Sequence, residues 1–288
     1  MLYNGIADMC RDGGDARRMA LTHAGGGPGE TSGLIGWRHP SLKELWQQPL
    51  PHLGTFDRAL ARFCGYFLLP RFSSVSGLEN VAPEADPFIL ALNHSSRFEA
   101  LALPAILVYC RGGNRVHFLA DWNFQLIPGV GLLYRRAGAI VVTRKSARPR
   151  FLNVVKPLYT HAASSMERAR AHVIAGRSVG IFPEGTVNSH PTRLLRGRLG
   201  AARLSLETGV PVVPAGIRLS GGSRKRPMLD LAFGRALQPD TVRSSGDGRS
   251  HITTADVKVW HTAIMREIAR LSGKAWEPSL QEPGHGTP

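Results

Sequence analysis

The sequence predicts an α/β fold. Two observations carry that expectation: short apolar runs rich in β-branched and aromatic residues alternate with helically spaced segments from about Ser73 onward, and the chain ends look loose, with a glycine-rich stretch over 11–33 and a Pro/Gly tail after 273. At 288 residues, with 43% hydrophobic and 20% charged side chains, the chain can bury one large core or two modest ones.

Taken in order, residues 1–40 hold Gly13, Gly14, Gly25, Gly26, Gly27, Gly29 and Gly33 among few apolar anchors, a composition that cannot offset its ordering entropy and predicts disorder. Residues 41–72 predict an amphipathic helical segment. Within it Phe56, Leu60, Phe63, Phe67 and Leu68 recur at helical spacing between Thr55 and Leu69, with Arg58 and Arg62 on the flanks. That face suits a bilayer surface or the protein's own core equally well.

The domain proper is expected over 73–272. Its strands are predicted at Phe88 to Leu92, Val116 to Ala120, Ala139 to Val142, Val179 to Phe182, Val210 to Ile217 and Leu229 to Phe233. Helices are expected after Glu99, where Ser95 or Ser96 offers a cap, over Ser164 to Ala175, and from Gly200 to Glu207 before Gly209. A last helix starts at Thr253 or Thr254, carries Val257, Trp260, Ile264, Ile268 and Leu271 as its stripe, and ends at Gly273. Residues 273–288 read as a flexible tail.

Charge narrows the classes. With 36 Lys plus Arg against 21 Asp plus Glu, the net charge of +15 favours an anionic partner: nucleic acid, an anionic bilayer or a phosphorylated substrate. No run of eighteen apolar residues is present to span a membrane, and Met1 to Glu30 lacks the apolar core of a secretory signal. Cys10, Cys64 and Cys110 are odd in number and lack metal or redox spacing. The expectation is a cytoplasmic protein with no metal.

Two stretches carry the chemistry. Asn93-His94-Ser95-Ser96-Arg97-Phe98-Glu99 sets a histidine and a carboxylate five positions apart where a strand ends. Five residues on a helix stand about 140° apart, so the pair meets only if His94 lies in the turn before it. There Glu99 can hold one ring nitrogen and leave the other as a general base, although an ordinary surface turn fits the same spacing. Phe182-Pro183-Glu184-Gly185-Thr186 follows a second strand, at the edge where α/β sheets bind ligands, and its glycine permits close backbone approach to an anion. A plain turn is again the simple alternative.

Together with Gly138-Ala139-Ile140-Val141-Val142-Thr143-Arg144 between them and Gly209-Val210-Pro211-Val212-Val213-Pro214-Ala215-Gly216 after them, these stretches resemble, in order, the four blocks of the glycerophospholipid acyltransferase family, which contains the 1-acylglycerol-3-phosphate acyltransferases. The resemblance covers residues 73 to 235. It implies a single mixed-sheet domain with flanking helices. It also implies that His94, oriented by Glu99, deprotonates the acceptor hydroxyl, which attacks an acyl thioester with no acyl-enzyme intermediate. Glu184, Gly185 and Thr186 would shape the acceptor pocket and Arg144 would hold its phosphate. The implied donor is acyl-CoA or acyl-ACP, the implied acceptor a lysophospholipid, 1-acyl-sn-glycerol-3-phosphate by preference, and no bound cofactor is expected. Such an enzyme would rest on the inner face of the membrane, with an anionic membrane surface and an acyl carrier protein as candidate partners.

Two positions depart from the family pattern. Glu99 replaces the usual aspartate, and Val187 stands where the third block continues with a phosphate-contacting arginine. Arg193, Arg196 and Arg198 follow closely and offer substitutes, or form a solvated basic loop. The link Lys145 to Ala163 interleaves Lys145, Arg148, Arg150 and Lys156 with Phe151, Leu152, Leu158 and Tyr159, a mixture suited to an anionic surface or to a plain excursion. Other classes lack their signatures. Despite Ser223-Arg224-Lys225-Arg226, no nucleic-acid-binding motif is present, nor Gly-x-Ser-x-Gly, nor a phosphate loop ending Gly-Lys-Ser/Thr. A catalytically silent lipid-binding member of the fold is the alternative that Glu99 and Val187 keep open.

Overall fold

The computed structural model describes residues 37, 39–147, 149–223, 226–240 and 252–277. The predicted disorder of 1–40 falls almost wholly outside these, as do Cys10, Arg148, Arg224, Lys225 and the tail beyond 277.

Helices α1 (Leu42–Gln47) and α2 (Thr55–Leu68) precede the sheet. Its seven strands are β1 (Phe72–Ser76), β2 (Ile89–Leu92), β3 (His117–Asp121), β4 (Ile140–Val142), β5 (Val179–Ile181), β6 (Val212–Ser223) and β7 (Arg226–Phe233). They lie in the order β1-β7-β6-β2-β5-β3-β4. From β6 to β4 every neighbouring pair is parallel, while β6 and β7 form an antiparallel hairpin and β7 pairs in parallel with β1. The sheet is therefore mixed.

Two cores follow from the period of two along β2. Leu90 and Leu92 pack with α3 (Glu99–Cys110) on one face, together with Leu45 and Leu69. Ile89 and Ala91 face α5 (Ser165–Ile174), α6 (Gly200–Thr208) and α7 (Thr254–Ser272) on the other. All four β2 residues are buried. As predicted, Thr253 caps α7, Gly273 ends it, and Val257, Trp260, Ile264 and Ile268 are buried along it.

The structure adds β1 and the short helix α4 (Val130–Arg136), and it starts β7 three residues before the predicted position. In α2 the aromatic residues turn outward: Phe56, Phe63, Tyr66 and Phe67 are exposed, whereas Leu60, Ala61, Cys64 and Leu68 face a cleft toward α3. The link after β4 forms a 3₁₀ segment, Arg150–Tyr159, on which Phe151, Val154 and Leu158 are also exposed.

Candidate active site

Because β2, β5, β3 and β4 are parallel, their C-terminal ends share one edge, and the first three blocks read in the sequence leave the sheet there. After β2, Asn93 is fully buried and anchors the departing loop to β6: its Oδ1 accepts from Ile217 N–H at 2.7 Å, and its Nδ2 donates to Ile217 O at 2.9 Å and Ser95 Oγ at 3.0 Å. His94 follows. Its Nδ1 lies 3.2 Å from Glu99 Oε2, and the same oxygen accepts Ser95 N–H at 2.8 Å. Glu99 is fully buried as the first residue of α3, so His94 does lie in the turn before the helix, as the spacing required. A carboxylate at Nδ1 selects the tautomer that leaves Nε2 as the basic nitrogen. The ring stacks on Phe182, centroids 4.3 Å apart.

The expected cap is corrected. Neither Ser95 nor Ser96 caps α3: the residue at the cap position is Phe98, which makes no side-chain cap hydrogen bond. The hydroxyl of Ser95 accepts from Asn93 and from Lys274, and the loop is committed to shaping the site rather than starting a helix.

Glu184, almost fully buried, joins this loop to the one after β5. Its Oε1 accepts His94 N–H at 3.0 Å, and its Oε2 accepts from Asn188 Nδ2 at 2.6 Å and Leu195 N–H at 2.9 Å. Asn188 N–H donates to His94 O at 2.7 Å and closes the clasp. Three donors on one carboxylate make Glu184 a staple that fixes the backbone of His94. Gly185 adopts φ +67°, and a Cβ there would stand 2.6 Å from Arg198 Nε, so the glycine lets this guanidinium lie against the block. Thr186 is exposed and Val187 half-buried.

Arg198 is the member of the Arg193, Arg196, Arg198 group that lies on this block. Arg144 is exposed just past β4, on the same edge but with β3 and β5 between it and β2, so the structure aligns it with His94 without bringing the two into contact. Sequence reading missed Asn188 and Lys274, since neither sits in a block with a chemical signature.

Beside the site, a cleft runs between α2 and α3, lined mainly by apolar residues that include Leu60, Leu101, Val108, Phe118 and Leu133. Its Phe118 ring lies 5.9 Å from Phe182, which in turn stacks on His94, so an apolar path joins cleft and base. Gly180 permits this: a Cβ there would come within 2.4 Å of the Phe118 ring. Asp57, paired with Arg115 at 2.8 Å and Arg136 at 3.3 Å, supplies the charged part of the lining. Burial pushes the Cys64 thiol and the Tyr134 hydroxyl up, leaving both uncharged at neutral pH. Among the described residues, no cluster of three or more His, Cys, Asp or Glu side chains could hold a metal ion.

A family model described as "Acyltransferase" matches residues 73–218, half of the chain. The chain belongs to the acyltransferase family. Within it, a curated relative, the 1-acyl-sn-glycerol-3-phosphate acyltransferase of Borreliella burgdorferi, is 30% identical over 141 residues, which cover 49% of this chain and 48% of the relative. The match thus spans about half of that relative's length. Among solved structures, the 1-acyl-sn-glycerophosphate (LPA) acyltransferase PlsC of Thermotoga maritima aligns with a TM-score of 0.50 and 21% identity over 77% of this chain and 81% of that one, a likeness of fold. These agree with the acyltransferase resemblance drawn from the four blocks and with a mixed α/β sheet flanked by helices.

Proposed function

We propose that this acyltransferase-family chain moves a fatty acyl group from acyl-CoA or acyl-ACP to the hydroxyl of a lysophospholipid, with 1-acyl-sn-glycerol-3-phosphate as preferred acceptor. The observation that carries the reading is the hydrogen bond of His94 Nδ1 to the buried carboxylate of Glu99 at 3.2 Å. His94 Nε2 takes the hydroxyl proton, the oxygen bonds to the thioester carbonyl carbon, and the carbon–sulfur bond breaks. The thiolate then recovers the proton from the imidazolium, which Glu99 stabilises meanwhile. No acyl-enzyme forms. The apolar lining of the cleft is of the character that takes a fatty chain. Arg144 and Arg198 serve the acceptor's phosphate, Arg198 making up for Val187, while Glu184 acts by holding His94 and Gly185 and Thr186 line the acceptor side.

The substrate lies in a bilayer, and no helix among the described residues is long and apolar enough to cross one. The exposed Phe56, Phe63 and Phe67, with Arg58 and Arg62 nearby, suit a face that rests on an anionic inner leaflet. Val187 favours one second reading, an acceptor other than 1-acyl-sn-glycerol-3-phosphate. Purified protein incubated with both thioester donors and a panel of lysolipids tests the reaction: acylation of the phosphate-bearing acceptor first is the expected result, and acylation of none overturns it. Vesicle flotation tests the surface, with binding expected to anionic but not neutral liposomes.

A further inference from the structure

The chain returns to the active site after α7. Ala275 pairs alongside Arg193, its N–H donating to Thr192 O at 2.8 Å and its carbonyl accepting Leu194 N–H at 2.9 Å, and Trp276 Nε1 donates to Arg196 O at 3.3 Å. Residues 274–276 are thus docked on the loop that follows the Glu184 block. Lys274, which lies beyond the stretch matched by the family model, is carried by this docking into the His94 loop: Nζ donates to Ser95 Oγ at 3.0 Å and to His190 O at 2.9 Å. Ser95 is the residue whose own N–H binds Glu99.

The electrostatics give the contact a purpose. Two buried carboxylates, Glu99 and Glu184, surround an imidazole that must stay neutral to act as a base, and buried anions without a cation are costly and draw protons to nearby bases. The groups around His94 are Glu99 at the start of α3, Glu184 after β5, Arg198 against Gly185, and Lys274 after α7. Phe182 covers one ring face, and His190 is spent accepting Thr192 and Arg193 amides at 3.3 and 3.1 Å. Desolvation lowers the proton affinity of Lys274, while Glu184 and Glu99 act to raise it, so both carboxylates are felt by this ammonium.

We propose that Lys274 is a positioning residue of the active site: it ties Ser95 and offsets the two carboxylates, fixing the loop that carries His94 and keeping the base unprotonated. The proposal rests on the reading of His94 as the base in acyl transfer.

Lys274→Met and Lys274→Arg are compared with the unmodified full chain in three measurements: the pH profile of acyl transfer, hydrogen exchange of peptides spanning 93–99 and 184–196, and thermal melting. In Lys274→Met, kcat is expected to fall roughly 10- to 100-fold, the scale of a misplaced catalytic group. The acid limb of the profile moves up by about one pH unit, as removal of one nearby cation requires, and peptide 93–99 loses protection. Lys274→Arg keeps the limb where it was. Faster exchange with an unmoved limb reduces Lys274 to a structural tie and overturns the proposal, as does unchanged exchange in a folded Lys274→Met protein. If the unmodified protein acylates no acceptor, the reaction assignment fails separately, and exchange alone then decides whether Lys274 holds the loop.

Discussion

His94 and the pair His117 and His172 are imidazoles in opposite surroundings. His94 stacks on Phe182 with the Glu99 carboxylate on Nδ1. His117 instead lies 4.2 Å from the His172 ring, with Nδ1 bonded to Gly138 O at 2.8 Å. Burial lowers the proton affinity of His117, and Arg177 and Arg115 add to the effect. His172 is pushed down to about 4 by desolvation, by His117 and by Arg177 and Arg168. A ring that accepts a proton during a reaction needs a carboxylate to stabilise the cation. The second pair is desolvated among arginines, has no carboxylate bonded to either ring among the described residues, and is disfavoured as a cation even with Asp86 acting the other way on His117. The comparison teaches that the partner on the far nitrogen, rather than the histidine itself, is what separates the proposed base from a packing ring.

The sharpest way to break this contrast is to remove each ring in turn. His94→Ala should lower kcat roughly 1,000-fold, within the range ascribed to a general base, with little change in melting temperature. His172→Gln should leave the rate unchanged in the same assay. Comparable losses in both would end the distinction. Next comes the staple. Glu184→Gln keeps one acceptor oxygen but sets an amide NH₂ either against the N–H of His94 or against the donors of Leu195 and Asn188, which should cost about 1–3 kcal/mol of stability in urea unfolding. Because the backbone of His94 then moves, kcat should fall roughly 100-fold. A stable variant with normal turnover would remove Glu184 from its positioning role.

The sheet was legible because its central strands are continuous apolar runs bounded by turn residues, and the Ile89, Leu90, Ala91, Leu92 run buries every side chain. β1 escaped because Ser73, Ser74 and Ser76 break its apolar pattern, and α4 because it is a single short stretch opened by Gly129 and containing Gly131. In the site, the meeting of His94 with Glu99 could be read since five residues of chain fix it. The role of Glu184 could not, because its donors come from Leu195, Asn188 and a backbone 90 positions away. Lys274 reaches Ser95 across 179 positions through a docking segment with no motif. Local spacing carries chemistry to the reader, whereas long-range hydrogen bonds depend on the sheet order.

Glu99→Gln sharpens the contrast at lower amplitude. An amide can keep its place at the start of α3 and still accept Ser95 N–H, but it no longer stabilises the imidazolium, so kcat should drop roughly 10- to 100-fold with stability held within about 1 kcal/mol. Near-normal turnover would show that the carboxylate charge is dispensable and that orientation alone suffices.

The smallest effect belongs to the arginine-flanked pair and is read in stability against pH. Protonated His172 is disfavoured in the folded state, where its value is about 4 against 6.5 when unfolded. Its neutral form therefore contributes nothing unfavourable above about pH 6.5, and stability is lost as the pH falls from there toward 4, because the unfolded chain takes up the proton first. His172 is only half-buried, so solvent screens the interaction and the loss should stay under about 1 kcal/mol. Urea midpoints measured from pH 7 to 4 should decline less steeply in His172→Gln than in the unmodified protein. The steps between pH 6.5 and 5 are the ones that count, since Glu167 and Asp256, whose capping bonds to Ser164 and Thr253 hold their carboxyls below the ordinary 4.5 and 3.8, add their own loss below that window in both proteins. Parallel declines would mean that the pair is protonated without cost, and the arginines around it would then not be what separates it from His94.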